Sequence, residues 1–264
     1  MPDSERIFVE AIRAWCRAHD IACEVRQQGW LVIMTRGDER RFAFGYDIGL
    51  NSAMAHRIAS DKSATAEVLA LSAIDCIPHA VFLSPKLGPH VAAVDSREAM
   101  LGLLRKHPDG LVVKPNEGTS GRSVFRVGSE AELDHAANEI FSAHPSLAIS
   151  PYVEIDEEVR VILLDDAPLA VYRKERASDW RHNLDFGARP VLLCEGETRA
   201  TCTGIAIKSA GAIGIRFASI DVVRVGKSWR VLEINSGVMM EALGKLHPEL
   251  VHAAYAAGLN KVFE

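Results

Sequence analysis

The stretch Ser219–Gly237, with the sequence SIDVVRVGKSWRVLEINSG, decides how this chain is interpreted. Apolar residues on both sides of a Gly-Lys-Ser turn at 226–228 predict two strands joined as a hairpin. A hairpin centred on that turn places Asp221 opposite Glu233. Asn235 follows Glu233 by two positions, so both side chains point to the same face of the strand.

The three oxygen-bearing side chains of this hairpin suit a magnesium ion. We expect two carboxylates and an amide oxygen to converge without a Lys or Arg among them. Oxygen ligands on rigid strands, completed by the phosphates of a substrate, are how proteins usually hold Mg²⁺. The alternative is an exposed hairpin with ordinary polar faces, and the hairpin alone leaves that alternative open.

The composition is that of a globular chain. It has 264 residues, of which 48% are hydrophobic and 25% charged, enough for one large domain or two small ones. A net charge of −5 argues against a general nucleic-acid binder. No apolar run approaches the roughly 18 residues of a membrane-spanning helix, and the N-terminus lacks the layout of a signal peptide. Five cysteines without a CxxC pair predict reduced thiols in a cytoplasmic protein.

The pattern along the chain predicts an α+β fold with mainly antiparallel sheets. A helix at 4–19 and short strands at 21–26, 31–35 and 41–44 form a small N-terminal module. The segment 178–190 is polar and is expected to be irregular. Further helices are predicted at 51–60, 61–74, 96–106, 129–143, 197–214, 238–243 and 248–257, and further strands at 79–83, 111–115, 124–127, 148–153, 158–164 and 168–174.

A lysine and a glycine-bearing loop add a second signal. Lys114 ends the buried strand at 111–115, and the loop NEGTSGRS follows at 116–123. A nucleoside triphosphate needs a cation and loop amides for its phosphates and oxygen ligands for its Mg²⁺. The chain contains no GxxxxGK[ST], GxGxxG or GxSxG sequence, so P-loop, dinucleotide-binding and α/β-hydrolase sites have no support.

Five segments, in order over residues 58–237, resemble the ATP-grasp superfamily. They are IASDKSATAEVL (58–69), LVVKPNEGTSGRSV (111–124), SPYVEIDEEVRV (150–161), DWRHNLDFGA (179–188) and FASIDVVR…WRVLEINSG (217–237). They are most similar to the ribosomal-protein glutamate ligase branch. The N-terminal module resembles the short lead-in of bifunctional glutathione synthetases and cyanophycin synthetases. The resemblance implies an ATP-grasp fold, in which subdomains at about 58–150 and 151–264 clasp ATP, after an abbreviated α/β lead-in module at 1–57.

The resemblance also implies a role for each matching residue. The ATP-binding set comprises two lysines, a loop that closes over the phosphates, hinge residues that read the adenine, and a carboxylate for the ribose: Lys62, Lys114, Glu117, Gly118, Thr119, Ser120, Gly121, Ser123, Tyr152, Val153 and Glu158. The catalytic set reaches the γ-phosphate or acyl phosphate through Arg181 and Asn183. Arg173, with Arg160 and Lys174, is expected to face the substrate carboxylate. Two Mg²⁺ ions, replaceable by Mn²⁺, would be held by Asp221, Glu233 and Asn235.

The function implied is an ATP-dependent carboxylate–amine ligase that joins amino acids or peptides through an acyl phosphate. A phosphotransferase on the same scaffold is one alternative. A non-catalytic ATP-binding protein is another, supported by Ser150-Pro151 at the hinge, where such ligases usually carry an acidic residue or Gln. Relatives of this kind are often dimers or tetramers, so a homo-oligomer is one of the states that the resemblance implies for this chain.

Overall fold

The computed structural model describes residues 6–88, 96–118, 121–176 and 187–264. Within them, the strands form three sheets in which neighbouring strands are antiparallel. In chain order the elements are α1 (Ile7–Ala18), β1 (Ala22–Arg26), β2 (Leu31–Arg36), β3 (Glu39–Phe44), α2 (Ala53–Ser60), α3 (Lys62–Leu71), β4 (Ala80–Leu83), α4 (Ser96–Lys106), β5 (Leu111–Pro115), β6 (Phe125–Val127), α5 (Glu130–Ala143), β7 (Ser146–Pro151), β8 (Glu157–Leu164), β9 (Ala167–Glu175), β10 (Arg189–Leu192), α6 (Glu197–Ile213), β11 (Phe217–Val225), β12 (Ser228–Asn235), α7 (Glu241–Gly244) and α8 (Pro248–Val262).

The central sheet has the strand order β10-β9-β8-β11-β12. Side chains alternate between its faces. On β8, Val159 and Val161 belong to a core that includes α6, whereas Ile162 and Leu164 belong to a second core on the other face. Residues of α2 and α3 join the α6 side. Both faces of the central sheet are therefore covered.

The N-terminal module closes the second face together with the C-terminal helix. The apolar stripe of α1 buries Phe8, Ile12 and Trp15 in the same core as Tyr255 of α8. The indole Nε1 of Trp15 donates to Oδ1 of Asn260 at 2.8 Å. The three-stranded sheet β1-β2-β3 contributes its buried residues to this core as well.

The small sheet has the order β4-β7-β5-β6 and carries α4 and α5 on one face. Helix α5 begins with the predicted capping box, since Ser129 Oγ accepts from the amide of Glu132 and the Glu132 carboxylate accepts from the amide of Ser129. Leu111, Val113 and Leu133 are buried in the core between this sheet and its helices.

Most sequence-based predictions of the fold are confirmed. The α+β class with antiparallel sheets is observed, and the hairpin register pairs Asp221 with Glu233. Of the segment 178–190, predicted to be irregular, residues 178–186 lie outside the described residues. The prediction is wrong at its end, because β10 begins at Arg189 and pairs with β9. The predicted helix at 238–243 is displaced to α7. The proposed boundary at 57/58 falls inside α2 and stays a prediction. In the described part of the chain, no helix combines the length and apolarity needed to cross a membrane.

Candidate active site

A cavity of about 750 Å³ lies where the small sheet, the central sheet and the N-terminal module meet. Its walls include residues from all three parts of the fold, among them Lys62, Lys114, Tyr152, Glu158, Glu233 and Asn235. Six residues that sequence reasoning assigned to ATP or metal therefore lie around one space. Its size is within the range of ligand-binding pockets.

Lys62 and the start of the glycine-bearing loop are held by a network at the N-terminus of α3. The carboxylate of Asp61 caps α3 by accepting from the amide of Ala64 at 2.8 Å, and it also accepts from Nδ2 of Asn116 at 2.7 Å. Nζ of Lys62 donates to the carbonyl oxygen of Gly118 at 2.8 Å. The helix, the lysine and the loop are thus fixed relative to one another.

Lys114 is the more buried of the two predicted ATP lysines. Strand β5 places it in the cavity wall with 7% of its surface exposed. Burial, with a smaller contribution from the charge of Lys62, lowers the pKa of Lys114 to about 8, although Glu233 and Glu158 oppose the shift. An anionic ligand in the cavity would favour the charged form of this lysine.

The hinge after β7 lines one end of the cavity through Pro151, Tyr152 and Val153. The amide of Tyr152 donates to the carbonyl oxygen of Gly110 at 3.0 Å, and Pro151 has no amide hydrogen. Two of the hinge amides are therefore unavailable to an adenine ring.

A buried group of four charges lies on the central sheet beside the cavity, and three of its members, Glu158, Arg160 and Lys174, line the cavity. Asp221 accepts two hydrogen bonds from Arg160, both at 2.6 Å, and one from Lys174 at 2.9 Å. Lys174 also donates to Glu158 at 2.5 Å. Burial alone would raise the pKa of the Asp221 carboxyl, but the charges of Arg160 and Lys174 outweigh it and hold that pKa well below its usual range.

The expectation that no Lys or Arg lies among the hairpin's oxygen ligands is therefore wrong. Strand β8 pairs with the free side of β11 and sets Arg160 directly opposite Asp221. Strand β9 then brings Lys174 to the same carboxylate. The hairpin sequence shows that β12 pairs with β11, but it does not show that β8 pairs with the other side of β11. The positions of Arg160 and Lys174 could therefore not be predicted from the hairpin. Asp221 is fully buried and already paired, whereas Glu233 and Asn235 line the cavity.

Glu233 and Asn235 stand side by side on β12. Nδ2 of Asn235 donates to Oε1 of Glu233 at 3.3 Å. Within the described ranges, no three His, Cys, Asp or Glu side chains form a group that could hold a metal ion. A cation at this point would take one carboxylate and one amide from the chain and its other ligands from a substrate.

The structure does not bring Arg173 to the cavity. It is opposite Val159 on β8, on the other face of the sheet from Lys174, and its guanidinium lies 3.3 Å from the Glu157 carboxylate.

Gly118 and Gly121 line the cavity, and Glu117 does so too. Ser123 is half-buried in the same loop. The predicted positions Thr119, Ser120, Arg181 and Asn183 lie outside the described residues.

Sequence reasoning missed His79 and the aromatic wall of the cavity. Burial, and then the charges of Lys114 and Lys62, hold the pKa of His79 well below its usual value, so its ring is neutral. Trp30 and Tyr46 of the N-terminal module line the cavity together with Asn235. No local pattern marks these residues, because only the tertiary fold brings them to the site.

Comparison with known protein families gives a match over most of the chain. A family model described as the RimK-like ATP-grasp domain matches residues 59–248. A ribosomal protein bS6--L-glutamate ligase from Escherichia fergusonii is 23% identical over 209 residues, covering 78% of this chain and 65% of that protein. A probable alpha-L-glutamate ligase from Legionella pneumophila is 26% identical over 200 residues, covering 74% of this chain and 61% of that protein. The chain thus spans less than two thirds of the length of these curated relatives.

Solved structures show the same fold. A D-alanine--D-alanine ligase from Bacillus anthracis, solved with ATP, has a TM-score of 0.59 at 16% identity, with coverage of 81% of this chain and 71% of that chain. A bifunctional glutathione synthetase from Pasteurella multocida has a TM-score of 0.55 at 14% identity, with coverage of 94% and 44% respectively. The likeness confirms the predicted fold.

Proposed function

The chain belongs to the RimK-like ATP-grasp domain family, and from this premise we propose that it is an ATP-dependent carboxylate–amine ligase. The reaction joins an amino acid or peptide to an amine through an acyl phosphate. The observation that carries the proposal is the single cavity that gathers two lysines, a glycine-bearing loop, a hinge and the Glu233–Asn235 pair. The names of the curated relatives, which are glutamate ligases, support an amino-acid substrate.

In the proposed binding mode the base lies beside Tyr152 and Val153 and the ribose near Glu158, three residues that line the cavity. Lys62 and Lys114 then meet the phosphates. Because Glu158 is already paired with Lys174, a ribose hydroxyl can donate to a carboxylate whose position is fixed in advance.

The chemistry of the donors at Glu233 and Asn235 fits Mg²⁺. Glu233 would offer a carboxylate and Asn235 its amide oxygen, and a bound cation would replace the hydrogen bond that now joins the two side chains. A bound Mg²⁺ would neutralise the charge that develops on the transferring phosphoryl group. Asp221 as a third ligand stays a prediction, and binding there has to compete with Arg160 and Lys174.

In the proposed reaction, an oxygen of the substrate carboxylate forms a bond to the γ-phosphorus while the bond to ADP breaks. Lys62 and Lys114 hold the phosphates in line, and the loop around Gly118 and Gly121 supplies amides and excludes water. The amine then attacks the acyl carbon, loses a proton, and inorganic phosphate leaves. The chain contributes positioning and charge, and loss of one such contact commonly costs roughly 10²–10³ in rate.

The substrate end of the cavity lies beyond Asn235, where Trp30, Tyr46 and Met239 form the wall. Two cations of the central sheet that line the cavity, Arg160 and Lys174, are already engaged with carboxylates. An anionic substrate, such as a glutamate-like carboxylate, would therefore need a cation other than these two.

The proposal is tested by screening amino acids and peptides for ATP-dependent phosphate release, with mass spectrometry of the product. A ligase needs an amine acceptor for steady release of ADP and phosphate, whereas a phosphotransferase accumulates a phosphorylated product without one. Glu233→Ala and Lys114→Ala are expected to abolish turnover while circular dichroism and the melting temperature stay near those of the wild type. Turnover close to wild type in either purified variant would remove the site assignment.

We further propose that the protein works in the cytoplasm. The five cysteines are free thiols in the structure, which suits a reducing compartment. Homo-oligomerisation stays a prediction, and light scattering of the purified chain tests it.

A further inference from the structure

Ser219 is a buried hydroxyl with no hydrogen-bond partner in the described part of the chain. It is 1% exposed, and its Oγ neither donates nor accepts among the described residues. Strand β11 directs it to the same face as Asp221, and it forms part of the cavity wall. Buried polar groups are nearly always paired in folded proteins, so this exception calls for a partner that the present arrangement does not supply.

The register of the hairpin identifies that partner. Ser219 is directly opposite Asn235 on β12, and side chains that face each other in this way have Cβ atoms about 4.5–5.5 Å apart. The Oγ atom is shielded from solvent, so a ligand in the cavity cannot reach it without displacing a neighbouring side chain. The candidate partner is therefore Asn235, the residue directly opposite, rather than the substrate.

The present orientation of Asn235 explains why the two are not yet joined. Its Nδ2 donates to Glu233 at 3.3 Å. A cation shared by Glu233 and Asn235 requires Oδ1 on that side, because the amide nitrogen carries hydrogens and cannot ligate. The amide must therefore turn over, and its NH₂ group then needs an acceptor away from Glu233.

Building on the proposed function, we propose that Ser219 is a positioning residue that holds Asn235 in its metal-ligating orientation, with Oγ accepting from Nδ2. A residue that hydrogen-bonds to a metal ligand without touching the metal fixes the orientation of that ligand, and its loss typically weakens metal affinity by about 10–100-fold.

The test measures how tightly wild type and Ser219→Ala bind the non-hydrolysable ATP analogue AMPPNP. Binding is measured once over a range of Mn²⁺ concentrations, which gives the Mn²⁺ affinity, and once in EDTA without metal. We expect Ser219→Ala to weaken Mn²⁺ affinity by about 10–100-fold and to leave binding in EDTA unchanged. Thr203→Val is the matched control, because Thr203 Oγ1 is also buried and unpartnered but belongs to α6. Its Mn²⁺ affinity should equal that of the wild type.

A double mutant separates action through Asn235 from a direct effect. In an Asn235→Ala background, Ser219→Ala should cost no further Mn²⁺ affinity. The proposal is overturned if Ser219→Ala binds Mn²⁺ within twofold of wild type, if it weakens binding equally in EDTA, or if the two substitutions are additive. If wild-type protein binds no Mn²⁺–AMPPNP at all, the proposed function itself fails, which is a different result.

Discussion

The low pKa of Lys114 predicts that nucleotide binding takes up a proton. The free protein has a pKa of about 8 for this group, against an ordinary value of 10.5. Phosphate oxygens beside the ammonium favour its charged form and raise the pKa toward the ordinary value. Between these two pKa values the bound state holds more protons than the free state, so affinity falls as pH rises through 8.

The size of the effect follows from the two pKa values. At pH 8 about half of the Lys114 side chains are neutral, so binding takes up about half a proton. At pH 9 about nine in ten are neutral, and the dissociation constant should be about tenfold larger than at pH 7.

The assay is isothermal titration calorimetry of Mg²⁺–AMPPNP binding at pH 7, 8 and 9, in two buffers with different ionisation enthalpies. The slope of the observed enthalpy against buffer enthalpy counts the protons. Lys114→Arg is the matched control, because an arginine stays charged throughout this range, and it also corrects for titration of the nucleotide. Equal proton uptake by wild type and Lys114→Arg at pH 8, or a wild-type affinity that is flat from pH 7 to 9, would refute the reasoning.

Three further substitutions test the framework around the site. Asp221→Asn removes the charge that pairs with two buried cations and should lower the free energy of unfolding by about 3–5 kcal/mol; a loss below about 1 kcal/mol in urea denaturation would contradict the pairing. Gly110→Ala should cost about 1–3 kcal/mol, because φ is +98° there and a Cβ would meet the carbonyl oxygen of Val127 at 2.6 Å; an unchanged melting temperature would argue against that backbone conformation. Ser129→Ala should cost about 1 kcal/mol by removing a helix cap, and Ser129→Asp, which keeps a capping oxygen, should restore most of it.

The local elements of this fold could be predicted because their signals are local. The capping box at Ser129 and the hairpin that opposes Asp221 and Glu233 were predicted from sequence spacing alone and are observed. The ATP-grasp assignment came from five ordered segments rather than from any one of them. Each signal lies within about twenty residues of chain or is carried by family resemblance.

The side-chain pairing of the candidate site could not be predicted in the same way. Arg160 and Asp221 are sixty-one residues apart in sequence and meet only because β8 pairs with β11. The unpartnered hydroxyl of Ser219 is visible only once burial is known. Strand order decides such contacts, and a single sequence specifies it only through the whole fold.

The joint core of α1 and α8 has a consequence for the nascent chain. Phe8, Ile12 and Trp15 share their core with Tyr255, and Trp15 bonds to Asn260, so the side of α1 that packs on α8 stays uncovered until α8 has been synthesised. Roughly 220 residues separate β3 from the end of α8, which at typical rates of synthesis takes about 10–40 s. During that interval the side of α1 that packs on α8 stays exposed, and a chaperone that covers apolar segments would find a binding site there.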